Sequence, residues 1–200
     1  MKIVKQSVEV LTFTPDAAKL IEAAGRTCYK SEGKINPESA RRFVCMLLER
    51  GHLSVLEHAS ATLRIVCDRG VSHELVRHRL ASFSQESTRY CRYGGDIAFI
   101  EPPGLDDDSR YVWERSILIA EGAYKHLLEL GQRPEIARSV LPNALKTEVV
   151  ITANFREWLH ILGLREAPAA HTQMREVMGI ARQALCLICP EVFGAPKEAC

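Results

Sequence analysis

The sequence lacks several features that would assign it quickly to a functional class. Its 200 residues carry a formal net charge of only +1, so no general positive field draws the chain onto nucleic acid or an acidic membrane. No apolar run approaches the roughly 20 residues that a membrane-spanning helix needs. Residues 1–7 contain no apolar signal core and no small-residue cleavage site, and we therefore expect a cytoplasmic protein with no membrane partner.

Familiar fingerprints for nucleotides and metals are also missing. There is no glycine-rich dinucleotide motif, no P-loop and no Ser-His-Asp arrangement with recognisable spacing. The C-x-x-C match from Cys186 to Cys189 ends an apolar helical run and has no second Cys or His pair at zinc spacing, so we interpret it as two buried helix cysteines. The histidines between residues 52 and 78 include no H-x-x-x-H pair, and we predict no metal site.

The composition is that of an ordinary globular domain. Hydrophobic residues make up 46% of the chain and charged residues 26%, and 200 residues suffice for one substantial core. Polar and apolar residues alternate near 59–67, and β-branched residues are concentrated near 2–14 and 145–153, which predicts strands. Helical periodicity with capping residues predicts helices between and after these strands. We predict a single domain over residues 1–200, of α+β class, with an antiparallel or mixed sheet flanked by helices.

The densest chemical signal is the segment from Arg77 to Tyr90, RHRLASFSQESTRY. Arginine side chains match the geometry of phosphate and carboxylate with two parallel hydrogen bonds. Hydroxyl groups and backbone amides in a loop, with arginines on both sides, form a plausible phosphate pocket. Two simpler interpretations remain open. The cations complement the C-terminal end of a helix, or they form a solvated basic turn that nearby acidic residues neutralise.

Nucleic-acid binding is a competing interpretation of the same segment. Aromatic residues such as Phe83, Tyr90 and Tyr93 are suited to stacking on bases while the arginines bind phosphates. The near-zero net charge and the absence of a wider basic stripe count against it. We therefore predict a nucleotide-sized ligand and no nucleic-acid partner.

Five motifs, in order along the chain, resemble the flavin-dependent thymidylate synthase family. The first two are the Gly51–His58 segment and the signature from Arg77 to Ser87. The others are Arg138 shortly before a Leu-Pro pair, the Asn154-x-Arg156 pair, and Arg165. The resemblance spans residues 50 to about 180, which is most of the chain.

The resemblance implies a fold, a reaction and an assembly. The fold is that of the family's catalytic domain, here expected over residues 1–200. The reaction is the reductive methylation of dUMP to dTMP, with 5,10-methylenetetrahydrofolate as carbon donor and FAD relaying hydride from NADPH. This makes the chain a flavoprotein and a methyltransferase of nucleotide biosynthesis. The implied assembly is a homotetramer whose sites combine residues from several subunits.

The resemblance also implies roles for individual residues. Those implied to contact FAD are Ser54, Glu57, Arg77, His78, Arg79, Asn154, Arg156 and His160. Those implied to contact dUMP are Glu74, Arg77, Gln85, Glu86, Ser87, Thr88, Arg89, Arg138 and Arg165. The predicted catalytic residues are Arg165, which stabilises charge on the uracil, and Ser87, which we expect to act mainly as a ligand because no base is evident beside it.

The chain departs from the family pattern at several of these positions. The departures are Glu74 where Gln is common, Gln85 where Glu is common, Thr88 for a frequent Gly, His160 for Asn, and Ala169 where some members have His. Two other hypotheses therefore stay open at this stage. One is a non-catalytic module that binds RNA or nucleotides, and the other is a flavoprotein of different specificity.

Overall fold

The computed structural model describes residues 1–194. The strands of the described chain are β1 Lys2–Val4, β2 Ser7–Phe13, β3 Ser60–Asp68, β4 Ser82–Gln85, β5 Ala98–Ile100 and β6 Lys146–Asn154. The α-helices are α1 Ala17–Thr27, α2 Ser39–Glu49, α3 Arg69–Leu75, α4 Asp107–Glu129, α5 Pro134–Ala137, α6 Phe155–Arg165, α7 Thr172–Ile188 and α8 Pro190–Phe193. Short 3-10 turns cover Glu32–Lys34, Leu53–His58 and Arg138–Val140.

The main sheet is antiparallel, with strand order β2-β3-β6-β4. Its two central strands pair along their full length, from Ser60 opposite Asn154 to Asp68 opposite Lys146. A separate parallel pair joins β1 to β5. The predicted α+β class with an antiparallel or mixed sheet is confirmed.

The core lies on one face of the main sheet. In β3, alternate side chains from Ala61 to Cys67 are buried, because successive residues of a strand point to opposite faces. Helices α6 and α7 cover this face, and Trp158 is fully buried against it. The Trp158 indole Nε1 donates a hydrogen bond to the Ala61 carbonyl oxygen at 3.0 Å, so its burial leaves no unpaired donor.

A second apolar cluster forms under α4, apart from the main core. Phe99 and Tyr124 are fully buried there, together with Leu145. The Tyr124 hydroxyl accepts a hydrogen bond from the Tyr93 backbone N–H at 3.2 Å. This contact fixes the loop after β4, which carries much of the predicted substrate segment.

The two helices that matter most for the site begin at side-chain caps. Asp68 Oδ1 accepts from the Val71 N–H at 2.6 Å at the start of α3, and Asn154 Oδ1 accepts from the Glu157 N–H at 2.9 Å at the start of α6. Helix α3 ends at Leu75, before the arginine-rich segment begins. Within residues 1–194, none of the helices has both the length and the apolar character needed to cross a membrane.

Candidate active site

Helices α3 and α6 start at opposite ends of the β3–β6 pair and approach each other at their C-terminal ends. The start of α3 follows Asp68 and the start of α6 follows Asn154, which lie at the two extremes of the strand register. Arg165 at the end of α6 contacts Glu74 near the end of α3. The C-terminal ends of two helices carry partial negative charge, which favours a cation between them.

The Arg165 guanidinium is held by three hydrogen bonds. Nη1 donates to the Glu74 carboxylate at 2.6 Å, Nη2 donates to the Glu74 backbone carbonyl at 3.0 Å, and Nε donates to His78 Nε2 at 3.0 Å. The Arg165 side chain is still 21% exposed. Because a guanidinium has five N–H donors, two remain for a ligand.

His78 is buried between the exposed side chains of Arg77 and Arg79. Burial, followed by the positive charge of Arg165 and the proximity of His160, lowers the pKa of His78 to about 4, so its imidazole is neutral at neutral pH. Its Nε2 accepts from Arg165, which places the proton on Nδ1, 3.7 Å from the Glu157 carboxylate. The sequence indicated three cations at residues 77–79. In the structure the middle residue, His78, is instead a neutral group that accepts a hydrogen bond.

His78, Glu157 and His160 bring their ligand atoms within 4.8 Å of one another, which is close enough to hold a metal ion. While Arg165 donates to Nε2, however, both His78 nitrogens are engaged. One lone pair accepts a hydrogen bond and the other nitrogen carries a proton. The cluster therefore does not suit a divalent cation as long as Arg165 is docked.

A cavity of about 630 Å³ lies beside this cluster and is lined by four of the predicted flavin residues. These are Glu57, Asn154, Arg156 and His160. Arg156 forms an ion pair with Glu57, and the remaining lining includes Leu53, Leu80 and Leu159. The combination of leucines with charged and amide side chains suits a flat aromatic ligand with polar edges. Sequence reasoning missed the leucines because no local pattern links them.

Ser54 lines a different cavity, of about 460 Å³, on another side of the 3-10 turn Leu53–His58. Lys34, Arg50 and His52 are polar and basic members of its lining, and Phe43 and Met46 are apolar members. The structure thus places Ser54 apart from the cavity that contains Glu57, Asn154, Arg156 and His160. Arg77, His78 and Arg79 line neither of these two cavities. A cavity that combines basic side chains with an apolar floor is suited to an anionic part of a large ligand.

A third cavity, of about 260 Å³, is lined by Arg69, His73, Thr88 and Arg138. Arg69 Nη1 is buried and has no hydrogen-bond partner among residues 1–194. A buried guanidinium N–H without a partner is costly, so this nitrogen points to an anionic ligand. Arg69 and His73 are four residues apart on α3 and therefore share a helix face. Sequence reasoning missed both as ligand residues, and the available signal was this i, i+4 pair directly after a helix cap.

The loop from Gln85 to Arg89 is held by internal hydrogen bonds. Gln85 Nε2 donates to Ser72 Oγ at 2.8 Å and to Thr147 Oγ1 at 3.3 Å. Glu86 accepts from the Tyr93 hydroxyl at 2.7 Å and from Lys146 Nζ at 3.3 Å. Both side chains therefore already have partners within the chain, and their substrate contacts stay a prediction.

Of the following three residues, Thr88 lines the anion cavity. Thr88 is buried and its Oγ1 accepts from Arg138 Nη1 at 3.1 Å. Ser87 Oγ accepts from the Arg89 backbone N–H at 3.3 Å, and within the described chain no hydrogen bond joins it to a base that would activate it. Arg89 is exposed and pairs with Glu135 at 3.2 Å. This arrangement fits a ligand role for Ser87 better than a nucleophilic one.

Comparison with known proteins connects this geometry to a family. The family model described as thymidylate synthase complementing protein matches residues 9–191. The flavin-dependent thymidylate synthase of Corynebacterium efficiens is 37% identical over 224 residues, covering 96% of this chain and 90% of that protein. The enzyme of the same name from Geobacter sulfurreducens is 35% identical, covering 96% of this chain and 88% of that protein.

Two solved structures share the fold of this chain. The UMP/dUMP methylase PolB from Streptomyces cacaoi, solved with 5-Br dUMP, superposes with a TM-score of 0.83 at 25% identity over 98% of this chain and 96% of that chain. Thymidylate synthase X from Helicobacter pylori, solved with FAD and dUMP, has the same fold, with a TM-score of 0.79 at 23% identity over 94% and 97% of the two chains. With the family model matching most of the sequence, this chain belongs to the flavin-dependent thymidylate synthase family.

Proposed function

We propose that this chain converts dUMP to dTMP by reductive methylation, with 5,10-methylenetetrahydrofolate as carbon donor and FAD relaying hydride from NADPH. Family membership supports the reaction. The observation that carries the proposal is the pair of cationic sites that α3 connects, the Arg69–Arg138 cavity at one end and the Arg165 guanidinium at the other. A substrate with a phosphate at one end and a polar ring at the other matches this arrangement.

The phosphate of dUMP is best accommodated by the anion cavity. Arg69 offers a buried unpaired Nη1, and Arg138 lies on the same cavity with His73 and Thr88. Arg69 and Glu74 are five residues apart on α3, which corresponds to an axial rise of about 7.5 Å. A nucleoside monophosphate bridges that order of distance. The predicted contacts of Arg138, Thr88 and Ser87 with dUMP are consistent with this placement, while Arg77 and Arg89 supply further exposed cations.

The cavities around the 3-10 turn Leu53–His58 fit a flavin nucleotide. The leucine-lined cavity offers apolar surface for a ring, with Asn154 and His160 for polar ring edges and Arg156 for negative charge. The neighbouring cavity at Ser54 adds Lys34, Arg50 and His52, which suit phosphates. When bound, FAD supplies hydride transfer, which protein side chains cannot provide.

The chain's own residues bind, orient and polarise. Arg165 is held near the neutral His78, where a cation stabilises negative charge that develops on the uracil ring. Ser87, which lacks a neighbouring base within the described residues, serves as a hydrogen-bonding ligand. The hydrogen bond from Arg165 to His78 Nε2 sets the tautomer with the proton on Nδ1, which faces Glu157 at 3.7 Å. The site therefore performs electrostatic and positioning catalysis while the cofactor carries the redox step.

We also propose a cytoplasmic homotetramer with sites shared between subunits, built from one catalytic domain per chain. Helix α4 supports self-association because several of its large apolar side chains are exposed in the single chain: Tyr111, Val112, Leu118 and Ile119. The predicted flavin residues also lie on two separate cavities, so a second chain can complete the pocket.

Cofactor binding gives the first test of this proposal. FAD titrated into the flavin-stripped protein is expected to show saturable quenching of flavin fluorescence. Arg156→Ala, which removes a cation from the cavity, is expected to weaken binding by about 10-fold, in line with the loss of one charged hydrogen bond. Arg64→Ala, on the exposed face of the sheet, is the matched control and should bind normally. An absence of saturable FAD binding in the unmodified chain would contradict the proposal that this protein is a flavoenzyme.

A further inference from the structure

We propose that Glu74 is a positioning residue that fixes the orientation of the Arg165 guanidinium, and that it acts on the reaction through Arg165 rather than by binding dUMP. The inference rests on the proposed function for its kinetic part. The family resemblance implies instead that Glu74 contacts dUMP, and the positioning role is proposed in place of that contact. Its physical basis is the set of three hydrogen bonds that hold Arg165.

Glu74 accepts two hydrogen bonds from the Arg165 guanidinium, one at its side chain and one at its backbone. Its carboxylate accepts from Nη1 at 2.6 Å and its own backbone carbonyl accepts from Nη2 at 3.0 Å. Since the backbone carbonyl belongs to the last turn of α3, it is rigid, and the carboxylate completes a clamp on the guanidinium plane. His78 provides the third point at Nε. Three fixed acceptors define both the position and the tilt of a planar group.

The charges show why a carboxylate matters at this position. A hydrogen bond between two charged groups is roughly twice as strong as one between neutral groups, so Glu holds the guanidinium more firmly than a neutral Gln would. The carboxylate also offsets part of the positive charge of Arg165. The ion pair therefore reduces the positive charge that Arg165 presents to the substrate, but it fixes the orientation of the guanidinium. That orientation matters because a misplaced catalytic group slows turnover strongly.

The same pairing argues against a primary role for Glu74 in binding substrate. Glu74 Oε2 already accepts a hydrogen bond from Arg165 Nη1, so the carboxylate is engaged within the chain and not directed at the substrate. The Glu74 side chain is 41% exposed, so its second oxygen remains accessible, for example to a sugar hydroxyl. A direct contact of that kind is the alternative that the experiment must separate.

A double-mutant cycle separates the two roles. Glu74→Ala, Arg165→Ala and the double variant are compared by single-turnover flavin oxidation at saturating dUMP and folate, and by the dissociation constant for dUMP. We expect Glu74→Ala to slow the single turnover at least about 10-fold, to change dUMP affinity less than about 3-fold, and to have no further effect when Arg165 is already absent. Glu74→Gln, which keeps an acceptor for Nη1, should recover most of the rate.

Glu9→Ala is the matched control, because Glu9 also pairs with an arginine, Arg64, but on the exposed face of the sheet. It should leave both quantities unchanged. The proposal is overturned if Glu74→Ala mainly raises the dissociation constant for dUMP, or if the effects of the two substitutions multiply. If the alanine variant does not fold, Glu74→Leu, which keeps side-chain bulk at this half-exposed position and removes the acceptor for Nη1, takes its place in the cycle.

A ligand-free measurement keeps this inference distinct from the proposed function. In protein labelled with ¹⁵N-arginine, the Arg165 Nε–H signal, identified by its loss in Arg165→Ala, should exchange slowly with water because it is bonded to His78. Glu74→Ala should accelerate that exchange at least about 10-fold. If dTMP is never formed but the exchange responds, the proposed function fails and the clamp stands. If exchange and turnover are both unaffected, the clamp is wrong.

Discussion

Arg138 Nη1 donates a hydrogen bond to the buried Thr88 Oγ1 at 3.1 Å, joining two segments that lie 50 residues apart in the sequence. The Thr88 side chain thereby orders an arginine of the anion cavity. A glycine, which the family resemblance implies at this position, could not make this contact because it has no side-chain oxygen. This pair, together with Arg69, forms the part of the site on which the phosphate assignment depends.

Removing a cation from this cavity should weaken binding of the phosphate specifically. Arg69→Ala and Arg138→Ala are each expected to raise the dissociation constant for dUMP by about 10- to 100-fold, because a hydrogen bond to a charged group contributes about 1.5–3 kcal/mol. Calorimetric titration checks this. Binding of deoxyuridine, which has no phosphate, should not change, and Arg64→Ala serves as the control. An equal loss for deoxyuridine would place the phosphate elsewhere.

Arg165 and Ser87 should respond differently to removal. Losing a cation from a desolvated site is expected to cost several kcal/mol in the chemical step, whereas losing one neutral hydroxyl hydrogen bond costs about 1–2 kcal/mol. Arg165→Ala should thus reduce single-turnover flavin oxidation far more than Ser87→Ala, which should chiefly raise the dUMP requirement. Arg165→Lys should rescue only partly because the planar fork is lost. If Ser87→Ala abolished the chemical step with dUMP binding intact, Ser87 would be a nucleophile.

His78 should make the folded protein sensitive to mild acid. Its pKa is about 4 in the folded chain, below the ordinary value of 6.5, so the unfolded state binds a proton more readily. Above about pH 6.5 His78 is neutral in both states, so its titration does not lower the free energy of unfolding. That free energy falls by up to about 1.4 kcal/mol per pH unit as the pH drops from 6.5 towards 4.

Urea denaturation of the flavin-free protein at several pH values measures this dependence. His78→Gln keeps a hydrogen-bonding side chain without the titration, so its stability should vary less between pH 6.5 and 4.5. Carboxylates titrate in both proteins, and the difference between the two curves isolates the histidine. Parallel curves for the two proteins would show that His78 is not held neutral by the fold.

The assembly can be measured independently of activity. Light scattering behind size exclusion should give a mass of about four times 22.4 kDa. Ile119→Lys, which places a charge among the exposed apolar residues of α4, should lower that mass if this helix is part of an interface. A monomer that still forms dTMP would contradict the shared-site proposal.

Much of the fold could be predicted because its signals are local. Asp68 and Asn154 are capping residues directly before apolar periodic segments, and both act as caps in the structure. The alternation near 59–67 and the β-branched run near 145–153 became the paired central strands β3 and β6. By contrast, β5 has only three residues and depends on pairing with β1, which no short sequence window reveals.

The candidate site was harder to predict because it depends on contacts between distant residues. The family resemblance implied that Arg138, Arg165, Thr88 and Glu74 all contact dUMP. It did not reveal that Thr88 and Glu74 are the partners that hold the two arginines. Arg69 went unnoticed because its significance lies in a buried nitrogen without a partner, which is visible only in three dimensions. Helix α3 stops at Leu75, and His78 is buried in the turn that follows, between two exposed arginines, which no local sequence pattern indicates.

The most direct test of the account is an anaerobic assay of the FAD-loaded protein with dUMP, 5,10-methylenetetrahydrofolate and NADPH, in which dTMP is quantified by chromatography. We expect dTMP to form only when all three substrates and FAD are present. We also expect that Arg165→Ala strongly reduces this formation while Glu9→Ala does not. UMP is assayed in parallel, since the PolB relative is described as a UMP/dUMP methylase. Saturable binding of FAD and dUMP with no methylated nucleotide from either substrate would contradict the central claim.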